Sequence, residues 1–412
     1  MSSTSLLLVT HVLIRQGPNG PQIDDQTAAG IARWCEHFDT VTYYGIGKDD
    51  ADDGGTSVTW VDLDKAVAGG RARLVALPSA YRVGRMVKQY TAVRGILRAE
   101  IGRHTHLCFT VGGLVGDWPA VAALESARQK RAFATWIDRV EPSVIRNKLV
   151  GAPILKRAVA ALALPAMDIF TKHVLSKSKV ALLQGMDTFG HYRASCSDPH
   201  CTYDTHTHGS DQITLETLAA KQKRVLSGAP LSIVYLGRAA AMKGPDDWLD
   251  TIEELVRRGV PLEATWVGDG PDLARMRERV TRSGLANVVA LPGFEGDRDT
   301  LLRLLRESDV LMFCHKTPES ARCLVESLVS GTPIIGYETA YPKGLVERRG
   351  GGVFTPDQAA SLADAIAALD RDRERLAALM GNAASSGEFY TEASVYAHRA
   401  KLMQRAHGSN GE

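Results

Sequence analysis

Residues 309–337, DVLMFCHKTPESARCLVESLVSGTPIIGY, decide the fold of this chain. The apolar run Val310–Phe313 is typical of a strand inside a parallel sheet that is covered on both faces. The polar residues 315–320 predict a loop, and the next segment predicts a helix that ends at Gly331, because glycine favours the position just past a helix. Pro333 begins a second strand. This pattern predicts an α/β sheet whose loop lies at the carboxyl edge, where such sheets bind ligands.

The loop and the helix carry two carboxylates. Glu319 and Glu326 are seven positions apart in the sequence, which is about two helical turns, so both fit one face at the mouth of the sheet. This stretch resembles the acidic motif of retaining GT-B glycosyltransferases of the family-4 type. Glu326 with the following Gly-Thr-Pro matches the second half of that motif. In the first half, six residues instead of the usual seven separate the glutamates, and Pro318 stands where the usual first glutamate falls.

A second match begins near residue 231. The apolar run Leu231–Leu236 predicts a strand, and Gly237-Arg238 and Lys243-Gly244 follow it, as in the same family. Transfer from a nucleotide sugar leaves a diphosphate, on which negative charge grows. The guanidinium of Arg238 can clamp its oxygens with paired donors, and Lys243 supplies a point charge. No metal and no other cofactor is therefore expected; the nucleotide-diphosphate sugar is a co-substrate.

Other acidic and metal-ligand patterns have simpler explanations. The D-x-D match at Asp297 and Asp299 fits the start of a helix. Cys196, Cys201 and the histidines near them lack the spacing of a zinc site. We expect no metal site.

The resemblance implies an α/β protein of GT-B fold, with two doubly wound Rossmann-like domains that face each other across a cleft. The expected domains are an acceptor-binding domain over 1–225, which includes an interdomain connection over about 186–225, and a nucleotide-sugar-binding domain over 226–390. A terminal helix over 391–412 is expected to cross back toward the first domain. A chain of 412 residues with 44% hydrophobic content is large enough for two cores.

Residue roles also follow from the resemblance. Arg238, Lys243 and Glu319 would be catalytic, with Glu319 on the hydroxyls of the donor sugar, and Glu326 would hold the donor ribose. The remaining expected donor-binding residues are Gly237, Gly270, Gly293, Phe294, Leu324 and Val325. Transfer would retain the anomeric configuration, with a phosphate oxygen of the donor helping to take the acceptor's proton.

Glycines mark the edge of the first domain. Gly17 and Gly20 lie in a segment that precedes an amphipathic helix over about 24–37, and a glycine turn at a helix start lets backbone amides approach phosphate or sugar oxygens. Simple turns explain these glycines equally well. Gly112 and Gly113 follow a buried strand, and Asp117 is the expected N-cap of the next helix. Together with His191, these four glycines are the expected acceptor and cleft residues.

The charge of the chain is unevenly distributed. The formal net charge is +2, but residues 71–179 hold 19 Lys and Arg against 6 Asp and Glu. Such a basic region suits the anionic surface of a membrane, and a solvated surface is the alternative. The resemblance favours a saccharide or lipid-linked acceptor, and no nucleic-acid partner is expected. Six cysteines and no recognisable signal peptide predict a cytoplasmic protein, at the inner membrane face if the basic region binds there.

The expected function is therefore transfer of a sugar from a nucleotide-diphosphate sugar to a hydroxyl acceptor, in the assembly of bacterial surface polysaccharide or glycolipid. The alternatives are a GT-B-like sugar-nucleotide epimerase and a catalytically silent relative that binds carbohydrate or membrane. The Arg, Lys and Glu set favours transfer, because an epimerase needs acid and base carboxylates at the centre of its cleft.

Overall fold

The computed structural model describes residues 3–48, 59–149, 153–205, 207–317 and 320–408. The chain forms two compact units. The N-terminal unit comprises Met1–Tyr203 with Val395–Glu412, and the C-terminal unit comprises Asp204–Ser394. The expected boundary at residue 225 falls inside the C-terminal unit. Residues 204–225 pack there because the side-chain amide of Gln222 donates to the Ala377 carbonyl oxygen at 2.9 Å and Lys221 donates to the Leu305 carbonyl oxygen at 3.3 Å.

The N-terminal unit is built on a nine-stranded sheet. Its strands are β1 (Ser5–Gly17), β2 (Gly20–Asp24), β3 (Thr40–Gly47), β4 (Trp60–Asp62), β5 (Ala72–Leu77), β6 (His106–Thr110), β7 (Ala134–Ile137), β8 (Val180–Gln184) and β9 (Pro199–Thr202). Seven of them are parallel, in the order β5-β3-β1-β6-β7-β8-β9. The direction of winding reverses between β1 and β6, and this is the topological switch point of a doubly wound sheet.

Helices cover both faces of this sheet. They are α1 (Asp25–Trp34), α2 (Leu63–Ala66), α3 (Val83–Arg103), α4 (Trp118–Arg128), α5 (Glu141–Lys148), α6 (Ile154–Leu175) and α7 (Gly185–Tyr192). One buried cluster lies between the sheet and α3 and α4, around Phe109 and Trp118. A second cluster lies on the opposite face, around Trp34 of α1.

Two segments of the N-terminal unit differ from the sequence expectation. Residues 15–21 form a β-hairpin with Arg15 opposite Gln22, where the sequence favoured a glycine loop that leads into a helix. The connection expected over 186–225 contains helix α7 and the edge strand β9. Strand β9 was missed because it is only four residues long and begins with Pro199 and His200, which are not types that identify a strand.

The C-terminal unit contains a six-stranded, wholly parallel sheet. Its strands are β10 (Leu231–Leu236), β11 (Leu262–Val267), β12 (Val289–Gly293), β13 (Val310–Phe313), β14 (Ile334–Tyr337) and β15 (Gly352–Thr355). Their order is β12-β11-β10-β13-β14-β15, so the winding reverses between β10 and β13. Every residue of β13 and β14 is buried, as the apolar runs predicted.

The helices of this unit are α8 (Leu215–Leu226), α9 (Pro245–Arg257), α10 (Leu273–Arg282), α11 (Arg298–Glu307), α12 (Arg322–Val329), α13 (Ala340–Val346), α14 (Ala359–Arg371) and α15 (Arg373–Gly387). Asp297 caps α11 by accepting a hydrogen bond from the Thr300 amide at 3.1 Å, which confirms the capping interpretation of the D-x-D match. Gly331 has a φ of +63° just past α12, as expected of a glycine that ends a helix.

The last helix, α16 (Glu392–Gly408), packs against the N-terminal unit from Val395 onward. Tyr396, Ala400 and Met403 join the buried cluster around Trp34. The ring of Tyr396 meets that of Trp34 edge to face, with centroids 4.9 Å apart. This packing fixes the end of the chain to the first sheet.

Candidate active site

The carboxyl ends of β10, β11 and β13 meet at the switch point of the C-terminal sheet. Gly237 follows β10, and its carbonyl oxygen accepts a hydrogen bond from the Trp266 indole at 3.0 Å. The loop after β11 approaches the same backbone so closely that a Cβ at Gly268 would overlap the Gly237 carbonyl, and one at Gly270 would overlap that of Ala239. Both glycines have positive φ angles, +147° and +157°. These contacts explain why the two loops need glycine.

The segment with Arg238 and Lys243 is fixed to the loop after β13. A 3-10 turn over Ala241–Lys243 ends at Gly244, whose φ of +66° is left-handed. A Cβ at Gly244 would overlap the Cys314 carbonyl oxygen, and the Lys316 amide donates to the Met242 carbonyl oxygen at 2.9 Å. Helix α9 begins immediately afterwards, at Pro245. The Lys-Gly segment thus lies at a helix N-terminus beside β13, where backbone amides and the helix dipole favour an anion.

The side chains of Arg238 and Lys243 differ in environment. Arg238 is exposed, and its guanidinium has neither a hydrogen bond nor an ion pair among the residues that the structure describes. Lys243 is half-buried. The two cations therefore lie at the carboxyl edge of the sheet, within seven positions of the end of β10.

A buried histidine, which the sequence did not single out, lies beside Lys243. His315 is 6% exposed, and its Nε2 atom lies 2.8 Å from the Tyr235 hydroxyl oxygen. Burial, and then the positive charge of Lys243, lower the pKa of His315 to about 3. His315 is therefore neutral at pH 7 and adds no positive charge beside Lys243. A histidine in a polar loop gives no sequence signal of this kind, because Tyr235 is 80 residues away.

The acidic motif is described in part. Glu326 is half-buried in α12, between the buried residues Leu324, Val325 and Ser327. Leu324 and Val325 are 0% and 2% exposed, so their side chains pack in the core and only their backbone remains for a ligand. Glu319 and Pro318 lie outside the described residues. The roles expected of Glu319 and Glu326 stay predictions.

The turn expected beside the donor base lies at the carboxyl end of β12. Gly293 has a φ of +95°, and its carbonyl oxygen accepts a hydrogen bond from the Gly268 amide at 2.8 Å. This bond ties the turn to the loop after β11. Phe294 follows with 79% of its surface exposed. An exposed aromatic ring at a sheet edge is available for a planar ligand.

The expected acceptor residues lie in three separate parts of the N-terminal unit. Gly17 and Gly20 face each other at the tip of the β1–β2 hairpin, which precedes α1 as expected but places strand β2 between the glycines and the helix start. Their role toward an acceptor stays a prediction. The residues on either side of these glycines pair with each other as antiparallel strands, and Gly20 has a φ of +125°. His191 in α7 bonds through Nε2 to Asp168 of α6 at 2.7 Å. That bond ties two helices together.

Gly112 and Gly113 follow β6, as expected, but a side chain already occupies their amides. Both N–H groups donate to Oδ2 of Asp117, at 3.0 and 2.6 Å. The other oxygen, Oδ1, accepts from the Ala120 amide at 2.7 Å and caps α4. The predicted N-cap role of Asp117 is confirmed. These two amides are consequently satisfied within the protein.

Metal ligands are not grouped in the part of the chain that the structure describes: no three His, Cys, Asp or Glu side chains there are placed to share an ion.

Comparisons with known proteins agree with this arrangement. Residues 217–386 match the family described as glycosyl transferases group 1. The UDP complex of Anabaena Alr3699/HepE superposes with a TM-score of 0.65 over 98% of this chain and 100% of that one, at 13% identity. The lipopolysaccharide outer core galactosyltransferase WaaB superposes with a TM-score of 0.64 over 99% and 100%, at 12% identity. The chain has the GT-B fold.

The GT-B chain also resembles curated proteins over part of its length. It is 25% identical over 149 residues to alpha-D-kanosaminyltransferase of Streptomyces kanamyceticus, and 32% identical over 165 residues to 2-deoxystreptamine N-acetyl-D-glucosaminyltransferase of Streptomyces fradiae. These matches cover 35% and 37% of this chain, and 38% of each relative. The chain thus spans less than half the length of these relatives. The fold expected from the sequence is confirmed, residues 217–386 match the expected family, and the family-4 subtype stays a prediction.

Proposed function

We propose that this protein is a retaining, metal-independent hexosyltransferase that moves a sugar from a nucleotide-diphosphate sugar to a hydroxyl acceptor. The named relatives of this chain are glycosyltransferases, and the Anabaena protein of the same fold binds UDP and UDP-glucose. Bacterial surface polysaccharide or glycolipid assembly is the proposed setting, at the cytoplasmic face of the membrane. A putative colanic acid biosynthesis glycosyltransferase of Escherichia coli, 25% identical over 184 residues, supports it.

The observation that carries the proposal is the pair of cations at the switch point of the C-terminal sheet. Arg238 is exposed without a partner among the described residues, and Lys243 stands at the N-terminus of α9 beside a neutral histidine. A site with two cations and a helix N-terminus suits a diphosphate. As the glycosidic bond breaks, its electron pair passes to the phosphate oxygen, and both cations stabilise the charge that develops there.

The other proposed contacts to the donor lie at the same carboxyl edge of the C-terminal sheet. We propose that the base lies against Phe294 and the turn at Gly293, and that the carboxylate of Glu326 accepts hydrogen bonds from the ribose hydroxyls. Gly237 and Gly270 let the backbone approach the diphosphate closely. Glu319 is proposed to hold the hydroxyls of the transferred sugar.

The proposal predicts the effect of removing Lys243. In Lys243→Ala, release of nucleoside diphosphate from the preferred donor sugar should fall by about 10²-fold or more, the usual loss when one charge-stabilising donor is removed. The measurement is turnover with UDP-, GDP- and ADP-sugars at saturating donor. Lys223→Ala is the matched control, because Lys223 is exposed in the last turn of α8, which leads into the opposite, amino end of β10, and this variant should keep wild-type turnover. A wild-type rate in Lys243→Ala would contradict the role of this residue in stabilising the diphosphate.

We also propose that the N-terminal unit binds an anionic membrane through α6. The helix exposes Leu155, Val159, Leu162 and Ile169, each more than 60% accessible and spaced along one stripe. Lys156 and Arg157 are exposed in the same first turns. A helix with an apolar stripe and flanking cations fits the interface between lipid headgroups and chains.

Helix α6 is also long enough to cross a membrane. It has 22 residues and is the single helix within the described ranges that meets the length and hydropathy of a span. Its second half, however, carries Asp168, which pairs with Lys172 at 2.6 Å and with His191 of α7. Moving these charges into hydrocarbon is costly. A position along the membrane surface agrees better with this ion-pair cluster.

Binding to vesicles tests the membrane proposal. The protein should sediment with phosphatidylglycerol-containing vesicles at low salt, less at 0.5 M salt because screening weakens the attraction, and weakly with phosphatidylcholine alone. Leu155→Ser with Leu162→Ser should reduce binding at low salt. Leu215→Ser is the control, since Leu215 of α8 is 86% exposed but lies in the other unit. Failure to bind phosphatidylglycerol vesicles at low salt would refute the proposal.

A further inference from the structure

Two carboxylates lie in the first turn of α9, at the helix N-terminus that carries the proposed diphosphate site. They are Asp246 and Asp247, which follow Gly244 and Pro245 directly. A carboxylate in a first turn stabilises the helix itself, but at this place its charge repels an anionic ligand. An anion site at this end of α9 therefore needs cations that balance the two carboxylates.

A different cation balances each carboxylate. Asp246 pairs with Arg275 of α10, and both side chains are about half exposed, so water and salt screen this pair. Asp247 pairs instead with Lys316, which lies in the loop after β13. The side chain of Asp247 is only 20% exposed, so its charge is the less screened of the two.

Lys316 joins three segments around the start of α9. Its Nζ atom donates to Oδ2 of Asp247 and, at 2.6 Å, to Oδ1 of Asp357, which follows β15. The same atom lies 4.8 Å from the centroid of the Tyr337 ring. Its backbone amide donates to the Met242 carbonyl oxygen in the 3-10 turn before α9, at 2.9 Å. Lys316 is thus fixed to that turn by its backbone and to α9 by its side chain.

The protonation states of this cluster are set by its contacts. The Tyr337 hydroxyl donates to the same oxygen of Asp247. Burial, and then this hydrogen bond, raise the pKa of Tyr337, so the phenol is neutral. Burial lowers the pKa of Lys316, but the hydrogen bonds to Asp247 and Asp357 outweigh it and the pKa is raised. Lys316 therefore carries its charge at pH 7.

The charges of the cluster leave little margin for an anionic ligand. Two carboxylates and one ammonium give Asp247, Asp357 and Lys316 together a net charge of −1. Without the ammonium the net charge would be −2, and without the charge of Asp247 it would be 0. Asp357 is 60% exposed, so solvent screens it more than Asp247. The charge at the start of α9 thus depends chiefly on Lys316 and Asp247.

We propose that Lys316 is a positioning residue for the donor: by neutralising Asp247, it keeps the N-terminus of α9 able to receive the diphosphate. The inference rests on the proposed function, because it concerns the same anion site. Lys243 is proposed to contact the diphosphate itself. Lys316 acts through the carboxylate of Asp247, and its loss should therefore be repaired when that carboxylate is neutralised.

Nucleotide affinity tests the role of Lys316. Calorimetry with UDP, GDP and ADP gives the dissociation constant of each nucleotide that the wild type binds. Lys316→Met should raise this constant about tenfold, because an unbalanced carboxylate then lies at the anion site. The increase should shrink at about 0.5 M salt, because salt screens the repulsion. Lys316→Arg keeps the charge and should bind the nucleotide as the wild type does.

Variants of Asp247 distinguish charge balance from a fastening role. Asp247→Asn keeps an oxygen for the Tyr337 hydroxyl but loses the charge, so it should bind the nucleotide at least as tightly as the wild type. Lys316→Met with Asp247→Asn has the wild-type net charge of the cluster and should regain wild-type affinity. If Lys316 only fastened the loop to α9, both of these variants would bind more weakly. Asp247→Asn alone gives this answer even if Lys316→Met does not fold.

Arg258→Met is the matched control. Arg258 is 30% exposed and pairs with Glu254 and Asp364, each at 2.7 Å, at the other end of α9. This variant loses an ion pair of the same helix and should keep the wild-type dissociation constant.

Weaker binding in Lys316→Met with recovery in the double variant supports the proposal. Wild-type affinity in Lys316→Met, weaker binding in Asp247→Asn, or a double variant that stays weak overturns it, and nucleotide binding by the wild type then leaves the proposed function standing. A wild type that binds none of the three nucleotides overturns the proposed function, and this inference with it.

Discussion

The buried lysine of α8 links a single side chain to the pH dependence of folding. Lys221 is 5% exposed and donates to the Thr332 hydroxyl and the Leu305 carbonyl oxygen. Burial lowers its pKa to about 7, with Asp309 opposing and Arg224 adding to this effect. Between pH 7 and about 10, the amine of Lys221 therefore binds more protons in the unfolded chain than in the folded protein. Through this group, the free energy of unfolding rises as pH rises.

This contribution should disappear in Lys221→Met. The measurement is urea unfolding at pH 7, 8 and 9 for both proteins. The difference between the wild-type and variant free energies of unfolding should shift in favour of the wild type as pH rises, since the cost of the buried charge is lost as Lys221 deprotonates. Lys223→Met, on the same helix, is the control. If the difference between the two free energies of unfolding stayed constant with pH, the lowered pKa of Lys221 would be contradicted.

Single residues also show what a sequence can reveal about a site. The caps Asp117 and Asp297 could be predicted, because a cap acts on amides three residues away. The partners His315 and Tyr235, and His11 and Asp117, could not, because each pair is brought together only by neighbouring strands. Arg238 and Lys243 were found through resemblance to a family motif. The sequence indicated the chemistry of these two side chains but not which residues surround them.

Among the elements, α16 depends on one buried guanidinium. Arg399 is 0% exposed and lies 4.3 Å from the centroid of the Trp136 ring. It donates to the Tyr203 carbonyl oxygen at 2.9 Å and to Oε1 of Gln184 at 3.2 Å. Both bonds come from Nη2, while the face of the guanidinium is near enough to the Trp136 ring for a cation–π contact.

Arg399→Met should therefore destabilise the N-terminal unit by about 1–3 kcal/mol, because two acceptors lose their donor in a buried place. Urea unfolding followed by tryptophan fluorescence measures the change. Arg405→Met on the exposed side of α16 should leave stability within about 0.5 kcal/mol of the wild type. If the two variants were equally stable, the guanidinium would not be what holds α16.

Elements were easier to predict than their exact roles. The buried strands Val310–Phe313 and Ile334–Tyr337 lie where the apolar patterns placed them. The β1–β2 hairpin did not, because its polar residues pair with each other and not with a core, so they carry no hydrophobic period. Strand β9 was missed because its first residues, Pro199 and His200, do not identify a strand.

At the scale of the whole molecule, the two units share the topology of their sheets. Each has a parallel sheet whose winding reverses beside its first strand, β1 or β10. Alternation of strands and helices predicts such sheets, and chemistry at the carboxyl edge follows from the topology. The C-terminal unit carries cations at its switch point and the N-terminal unit carries a histidine held by a carboxylate. The cations of the C-terminal unit suit the diphosphate of the proposed donor.

The most direct test of the central claim is a thermal-shift comparison with UDP, GDP and ADP. A ligand that binds only the folded protein raises the melting temperature. We predict that one of the three raises that of the wild type, and that the shift is reduced in Arg238→Ala with Lys243→Ala at the same ligand concentration. A wild type whose melting temperature none of them changes, or a double variant that responds as the wild type does, would contradict a diphosphate site at the end of β10.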